Sequence, residues 1–237
     1  MLKGATLIGP RFSMYLIRHH LLRLQTLRGK TIVHVGAHRG QEAAEYQKWG
    51  AARVIWIEAD PETARGLRQH LAALPGHPQG WLQRLFGFPA TEHRVIEALI
   101  GDEDGKLTDF HVFSNDGESS SIFRKAADAD ARHAAIVETG KVRQLAMRSL
   151  DRLLPENGIA LDSVDILVLD VQGAELLCLR GASDLLSRIT MLESEVATTA
   201  WYEGGVLLPE LDAWLAGKGF RRRTRVRRSM MNAVYTR

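Results

Sequence analysis

The stretch TIVHVGAHRG (31–40) decides the fold. Thr31, Ile32, Val33 and Val35 are β-branched, and the run ends abruptly at Gly36. A helical pattern follows over 41–49 and stops at Gly50. A short apolar strand, a glycine turn and a helix in this order open a βαβ unit, whose buried parallel strand reads as a continuous apolar run.

Working outward, the same alternation repeats. Residues 53–57 form a second β-rich run that closes on Glu58 and Ala59. Asp60 as N-cap with Pro61 at the first helical position predicts a helix to about residue 74. Further strands are expected at 95–100, 108–113, 165–171 (DILVLDV) and 190–196. Helices are expected over 124–138, from Ser149 to near Gly158, between Gly173 and Gly181, and over 209–218. Two β-like runs, 220–226 and 231–235, suit a C-terminal antiparallel hairpin. The architecture is therefore α/β and Rossmann-like, a mostly parallel central sheet with helices on both faces. An amphipathic helix over 14–27 makes residues 1–30 an N-terminal helical extension ahead of a 31–237 domain. Residues 75–92 read as a loop carrying a short apolar helix.

Composition narrows the class. Of 237 residues, 45% are hydrophobic and 25% charged, which excludes disordered and collagen-like chains. No apolar run reaches the roughly 18 residues of a membrane span, and basic residues from Arg18 to Arg23 interrupt any leader-like segment. The lone Cys178 excludes an internal disulfide framework and a multi-cysteine zinc site. A cytoplasmic protein is the expectation, with peripheral membrane contact left open by the basic N-terminal helix. Arg221, Arg222, Arg223, Arg225, Arg227 and Arg228 crowd into eight positions. No aromatic residue interleaves with them, so a nucleic-acid partner is not favoured. No oligomeric state is assigned.

In an open α/β sheet, ligands bind at the carboxyl ends of the strands. Gly36, Ala37, His38 and Gly40 reach that edge from the first strand, and Glu58 from the second. A carboxylate there accepts both hydroxyls of a ribose, so the pair points to a nucleoside-bearing cofactor. A dinucleotide fingerprint needs glycine where this chain has His38. S-adenosylmethionine carries no phosphate and tolerates the bulkier loop.

Seven segments together resemble the FkbM family of methyltransferases: IVHVGAHRGQE (32–42), VIWIEADP (54–61), ALIGDEDG (98–105), ESSSIF (118–123), SLDRLL (149–154), DILVLDVQGAELLCLRGA (165–182) and WYEGG (201–205). They follow the family's order from about residue 31 to the end. The resemblance implies a class I methyltransferase fold, S-adenosylmethionine as cofactor, and transfer to a hydroxyl of a sugar, glycan or secondary metabolite. It also places His34, where many members carry an acid, near the methionine ammonium. Ala59 and Asp102 are expected to complete the cofactor contacts with His34, Gly36, Ala37, His38, Gly40 and Glu58.

A hydroxyl acceptor must lose a proton as it takes the methyl group. Asp170, at the carboxyl end of the 165–171 strand, leads the candidates for base or substrate contact. Glu193 and Glu195 share one face of the next strand. Glu195 is taken as catalytic, and Gln172, Glu193, Trp201 and Tyr202 as acceptor contacts, the two rings offering a stacking platform. His38 and His111 are secondary base candidates, and no metal ligand set is assigned. Two rival functions stay open: a nucleic-acid methyltransferase using the arginine cluster, and a non-catalytic cofactor-binding protein, suggested by His34.

Overall fold

The computed structural model describes residues 27–75, 90–127 and 135–237. The expected extension helix over 14–27 and most of the 75–92 insert lie outside the described residues. The strands are β1 (Thr31–Val35), β2 (Arg53–Glu58), β3 (Glu92–Glu97), β4 (Leu99–Ile100), β5 (Leu107–Phe113), β6 (Glu138–Arg148), β7 (Ile166–Leu169), β8 (Met191–Ala197), β9 (Arg221–Arg222) and β10 (Met230–Thr236). The helices are α1 (Ala43–Lys48), α2 (Pro61–Ala73), α3 (Leu150–Glu156), α4 (Glu175–Arg180), α5 (Ser183–Arg188) and α6 (Leu208–Gly217).

Seven strands form the main sheet in the order β3-β2-β1-β7-β8-β10-β9. The first five are parallel, and β10 enters antiparallel between β8 and β9. The order reverses at β1 and β7, the junction at which open α/β sheets bind ligands.

Side-chain alternation explains why both faces carry helices. Val33, Val35, Ile55, Ile57, Leu167 and Leu169 pack with residues of α3, α4, α5 and α6. Ile32, Val54, Trp56, Ile166 and Val168 pack instead with Ala43 and Tyr46 of α1 and Leu67 and Leu71 of α2. Helix α2 begins as its sequence dictates: Asp60 Oδ1 accepts from the Glu62 and Thr63 amides at 3.0 and 2.9 Å. A cap of this kind contributes about 1 kcal/mol.

The structure corrects four expectations. The apolar run 95–100 is two strands, because β3 pairs with β2 whereas β4 pairs with β6 in a separate three-stranded sheet, β4-β6-β5. Ala98 marks the division, its amide donating to the Glu58 carbonyl. The helix over 124–138 is not formed at its described ends. Lys125 bridges to Tyr202 as β-structure, and Glu138 opens the eleven-residue β6. Residues 128–134 lie outside the description. Ser149 precedes α3, but its hydroxyl donates to Asp104 and does not cap the helix. The terminal hairpin forms with a β9 shorter than the β-like run expected over 220–226.

Arg143 on β6 pairs with the Asp60 carboxylate at 2.5 Å and with Glu62 at 3.0 Å. The side sheet is thereby tied to the start of α2, which sets Phe110 over the carboxyl edge of the main sheet.

Candidate active site

A cavity opens where β1, β2 and β7 end. Its lining includes Val35, Gly36, His38, Ile57, Glu58, Ala59, Ala98, Leu99, Ile100, Phe110, Glu118, Ile122, Asp170 and Gln172. The sequence places the carboxylates by the same device each time. A buried strand stops, and the first polar side chain after its last apolar residue stands at the edge.

Glu58 is buried and carries two backbone amides, His38 N at 2.8 Å on Oε2 and Asp60 N at 2.9 Å on Oε1. Each carboxylate oxygen keeps a further lone pair for a hydroxyl. Burial raises the Glu58 carboxyl above its ordinary value, and the two amides oppose that rise. The glycine loop spends its own donors internally: Gly36 N and Ala37 N bond the Ile57 carbonyl, Gly40 N the Ala37 carbonyl, and His38 N the Glu58 side chain. A pyrophosphate needs such amides free. This loop therefore suits a ligand held by its ribose.

The loop is also forced into unusual geometry. His38 has φ 44°, Asp116 φ 62° and Gln172 φ 55°, and all three lie at this edge. His38 Nε2 lies 3.0 Å from the Asp116 carbonyl, and Arg39 pairs with the Asp116 carboxylate at 2.6 Å. Left-handed conformations at non-glycine residues persist only where neighbours hold them, and they concentrate at functional sites.

Gln172 is held most completely. Its Nε2 donates to Asp170 Oδ1 at 2.5 Å and to Glu195 Oε2 at 2.9 Å. Its Oε1 accepts from the Tyr202 hydroxyl at 2.7 Å, and its carbonyl from Ser121 Oγ at 2.7 Å. Burial pushes the Asp170 carboxyl up to about 6, with the Gln172 amide pulling the other way. Burial, and then the Asp170 charge, hold Glu195 well above the ordinary glutamate range. Within the pair, burial and the Asp170 charge push Glu195 more strongly toward its uncharged form than burial pushes Asp170. Glu42 is likewise raised to about 7, by burial first and by Asp170, Glu193 and Glu118 after it.

Glu175 opens α4 and folds back, its Oε1 accepting from Val171 N at 3.3 Å and Gly173 N at 3.1 Å. Burial raises its carboxyl from 4.5 to about 7. A carboxyl raised in the folded state contributes stability that is complete below its unfolded value and is lost as pH rises through the folded one. Glu175→Gln keeps an oxygen for both amides and has no proton to lose. Its stability relative to wild type is expected to rise between about pH 5 and pH 8, by up to about 3 kcal/mol. Urea unfolding at the two pH values measures this, and a pH-independent difference would contradict it.

Several expected residues do not reach the cavity. His34 is 2% exposed on the α1–α2 face, stacked on Trp56 at 5.2 Å with Nδ1 3.1 Å from the Tyr46 hydroxyl. Burial lowers its imidazole to about 3, so it is neutral, and it belongs to an aromatic layer away from the cavity. Asp102 lies beyond the cavity lining. Glu193 accepts from Asn232 on β10 at 3.2 Å and does not line the cavity. Trp201 and Tyr202 are each 3% exposed and pack with Phe113, which leaves no open ring face for stacking. Tyr202 acts instead through the hydroxyl that fixes Gln172. His111 is buried, 3.9 Å from Glu138 and bonded by its backbone to Ser121. Glu118, Phe110 and Ile122 are additions to the cavity from the structure, and Glu42 lies outside its lining but close enough to feel the Asp170 charge. Glu42 and Glu118 sit in quoted motif segments, whereas nothing in the local pattern around Phe110 points to a ligand. Among the described residues, no group of three or more His, Cys, Asp or Glu side chains is arranged to hold a metal ion.

Comparison with known proteins bears on the same residues. Residues 34–222 match the family model of the methyltransferase FkbM domain, most of the chain and every residue that lines the cavity. The chain belongs to the FkbM methyltransferase family. A curated relative, the 2-O-methyltransferase NoeI of Sinorhizobium fredii (strain NBRC 101917 / NGR234), is 25% identical over 179 residues, 73% of this chain. The match spans 65% of that relative's length. Among solved structures, magnesium protoporphyrin IX methyltransferase (ChlM) from Synechocystis PCC 6803 with bound SAM aligns at TM-score 0.50 and 11% identity, over 100% of this chain and 86% of that one. The FkbM chain thus has the class I methyltransferase fold, with its cavity at the strand-order reversal. No helix among the described residues is long and apolar enough to cross a membrane.

Proposed function

We propose that this FkbM-family chain is an S-adenosylmethionine-dependent O-methyltransferase that methylates a hydroxyl of a sugar, glycan or secondary metabolite. The observation that carries the reading is one cavity with two polar ends. Glu58, braced by two backbone amides, stands at one end, and Asp170, aligned by Gln172, stands at the other. The residues fit the cofactor on the chain's own geometry. Glu58 has lone pairs for the ribose diol, Ile57, Leu99, Ile100, Phe110 and Ile122 offer apolar walls for the adenine, and Glu118 offers charge for the ammonium. When bound, the cofactor supplies a methyl group activated on a sulfonium.

The chain's residues do the rest. Gln172 fixes the Asp170 carboxylate so that one oxygen remains to accept the acceptor's hydroxyl proton. A base whose value lies near 6 is largely ionised at neutral pH and still basic enough to take that proton. Glu195, in contact with both Gln172 and Asp170, is pushed by burial and by the Asp170 charge toward its uncharged form, which limits negative charge beside the base. The relative's name, a 2-O-methyltransferase, supports oxygen as the acceptor atom. The non-catalytic alternative rested on His34, and that side chain lies outside the cavity, so its departure from the family pattern removes no cavity residue.

Incubation with isotope-labelled S-adenosylmethionine and a panel of glycosides and hydroxylated metabolites tests the reading by mass spectrometry. One label on an acceptor oxygen is the expected result. Transfer confined to nitrogen atoms, or no transfer by folded protein that binds the cofactor, would sink it.

A further inference from the structure

The six clustered arginines separate into two groups. At one end of the hairpin, Arg222 pairs with Asp212 at 3.1 Å and Arg223 Nε donates to Thr236 Oγ1 at 2.8 Å. Arg221 stands opposite Thr236, which faces Met191 at the start of β8. That is the amino edge of the sheet, away from the cavity. The chain then climbs to the carboxyl edge. The Arg227 amide donates to the Met231 sulfur at 3.4 Å, and the Ser229 carbonyl accepts from Thr198 N at 2.8 Å.

This placement matters because of the strand register. Met231 stands opposite Val196, and the next residue, Asn232, opposite Glu195. The hairpin carrying Arg227 thus reaches the level of the carboxyl end of β8, where Val196 and Glu195 are successive residues with side chains on opposite faces. Arg225, Arg227 and Arg228 are exposed. None of the three has an ion pair with another described residue. Three like charges within four positions repel one another, and nothing described beside them relieves that repulsion. An anion does so, and the guanidinium fork matches phosphate oxygens two at a time.

We propose that Arg225, Arg227 and Arg228 form a phosphate subsite on the rim of the acceptor side, so that the acceptor carries a phosphate or diphosphate beside the part that is methylated. The inference rests on the acceptor side defined above by Asp170, Gln172 and Glu195. It narrows the acceptor to phosphate-bearing molecules, either free in solution or displayed on a bilayer.

The test uses the full chain, a variant carrying Arg225→Gln, Arg227→Gln and Arg228→Gln, and a control carrying Arg221→Gln. Inorganic pyrophosphate titrated by calorimetry probes a soluble phosphate. Co-sedimentation with phosphatidylcholine vesicles, with and without phosphatidylglycerol, probes a lipid-borne one. The wild type and the Arg221→Gln control are expected to bind at least one phosphate probe, more weakly as salt rises, and the triple variant at least about tenfold less. Pyrophosphate binding identifies a soluble acceptor and phosphatidylglycerol-dependent sedimentation a lipid-linked one. S-adenosylhomocysteine affinity, measured in parallel, is expected to be equal in all three proteins. Arginine-dependent phosphate binding without any S-adenosylhomocysteine binding would leave the subsite standing and overturn the methyltransferase reading. Equal phosphate binding by wild type and triple variant, no binding to either probe, or binding only to an RNA oligonucleotide would overturn the subsite.

Discussion

Asp170→Asn is expected to lower kcat by about 10²- to 10⁴-fold, the range contributed by a positioned base. The asparagine oxygen still accepts from Gln172 Nε2, so the loop keeps its hydrogen bond and S-adenosylhomocysteine affinity is expected to change little. The wild-type pH profile makes the prediction specific. A base acts in its ionised form, so activity should fall as pH drops through about 6, the value to which burial raises Asp170. That limb should vanish in the variant. Glu195→Gln is expected to be far milder, because burial and the Asp170 charge already push Glu195 toward its uncharged form. A mutant retaining more than about a tenth of wild-type kcat, or an unaltered acid limb, would move the base elsewhere.

Gly36→Ala is expected to lower stability by roughly 3–5 kcal/mol, which corresponds to a fall in Tm of roughly 10 °C for a chain of this size. A Cβ at Gly36 would stand 1.8 Å from the Asp170 carbonyl oxygen and 2.6 Å from its carbon. Both are backbone atoms at the end of the adjacent strand, and the Asp170 amide is itself bonded to the Val35 carbonyl at 3.0 Å. β1 and β7 would have to part at the point where the cavity begins. The residue also has φ 79°, where alanine is strained. Gly105 separates the two effects. Its φ is 82°, yet a Cβ there meets nothing within 4 Å, so Gly105→Ala should cost only about 1–2 kcal/mol. Thermal melts of the two variants side by side are the check, and equal losses would show that the close approach at Gly36 contributes nothing.

The central strands are legible in the sequence because burial on both faces makes them continuous apolar runs. β1 and β2 carry no charged residue between Thr31 and Val35 or between Val54 and Ile57. β6 is illegible for the opposite reason. It is mostly exposed, its charged residues alternate without an apolar face, and the alanine-rich stretch before it mimics a helix. The break between β3 and β4 leaves no mark either, since Ile96, Leu99 and Ile100 are all buried although they serve different sheets.

The site divides the same way. Glu58, Asp170 and Gln172 announce themselves as polar residues ending apolar strands. His34 shows the limit of position within a motif. Its backbone lies in the strand that feeds the glycine loop, but alternation sends the side chain to Tyr46 and Trp56. Phe110 reaches the cavity from the side sheet, which contacts such as the Arg143–Asp60 pair tie to α2 across 83 positions that no local pattern encodes.

Isothermal titration of the folded protein with S-adenosylhomocysteine tests the central claim most directly. One molecule bound per chain, with no binding of NADH under the same conditions, is the predicted result, because Glu58 offers a ribose site while the amides of Gly36, Ala37, His38 and Gly40 are already bonded within the protein. Binding of NADH in preference, or no binding of S-adenosylhomocysteine by protein shown to be folded, would contradict it.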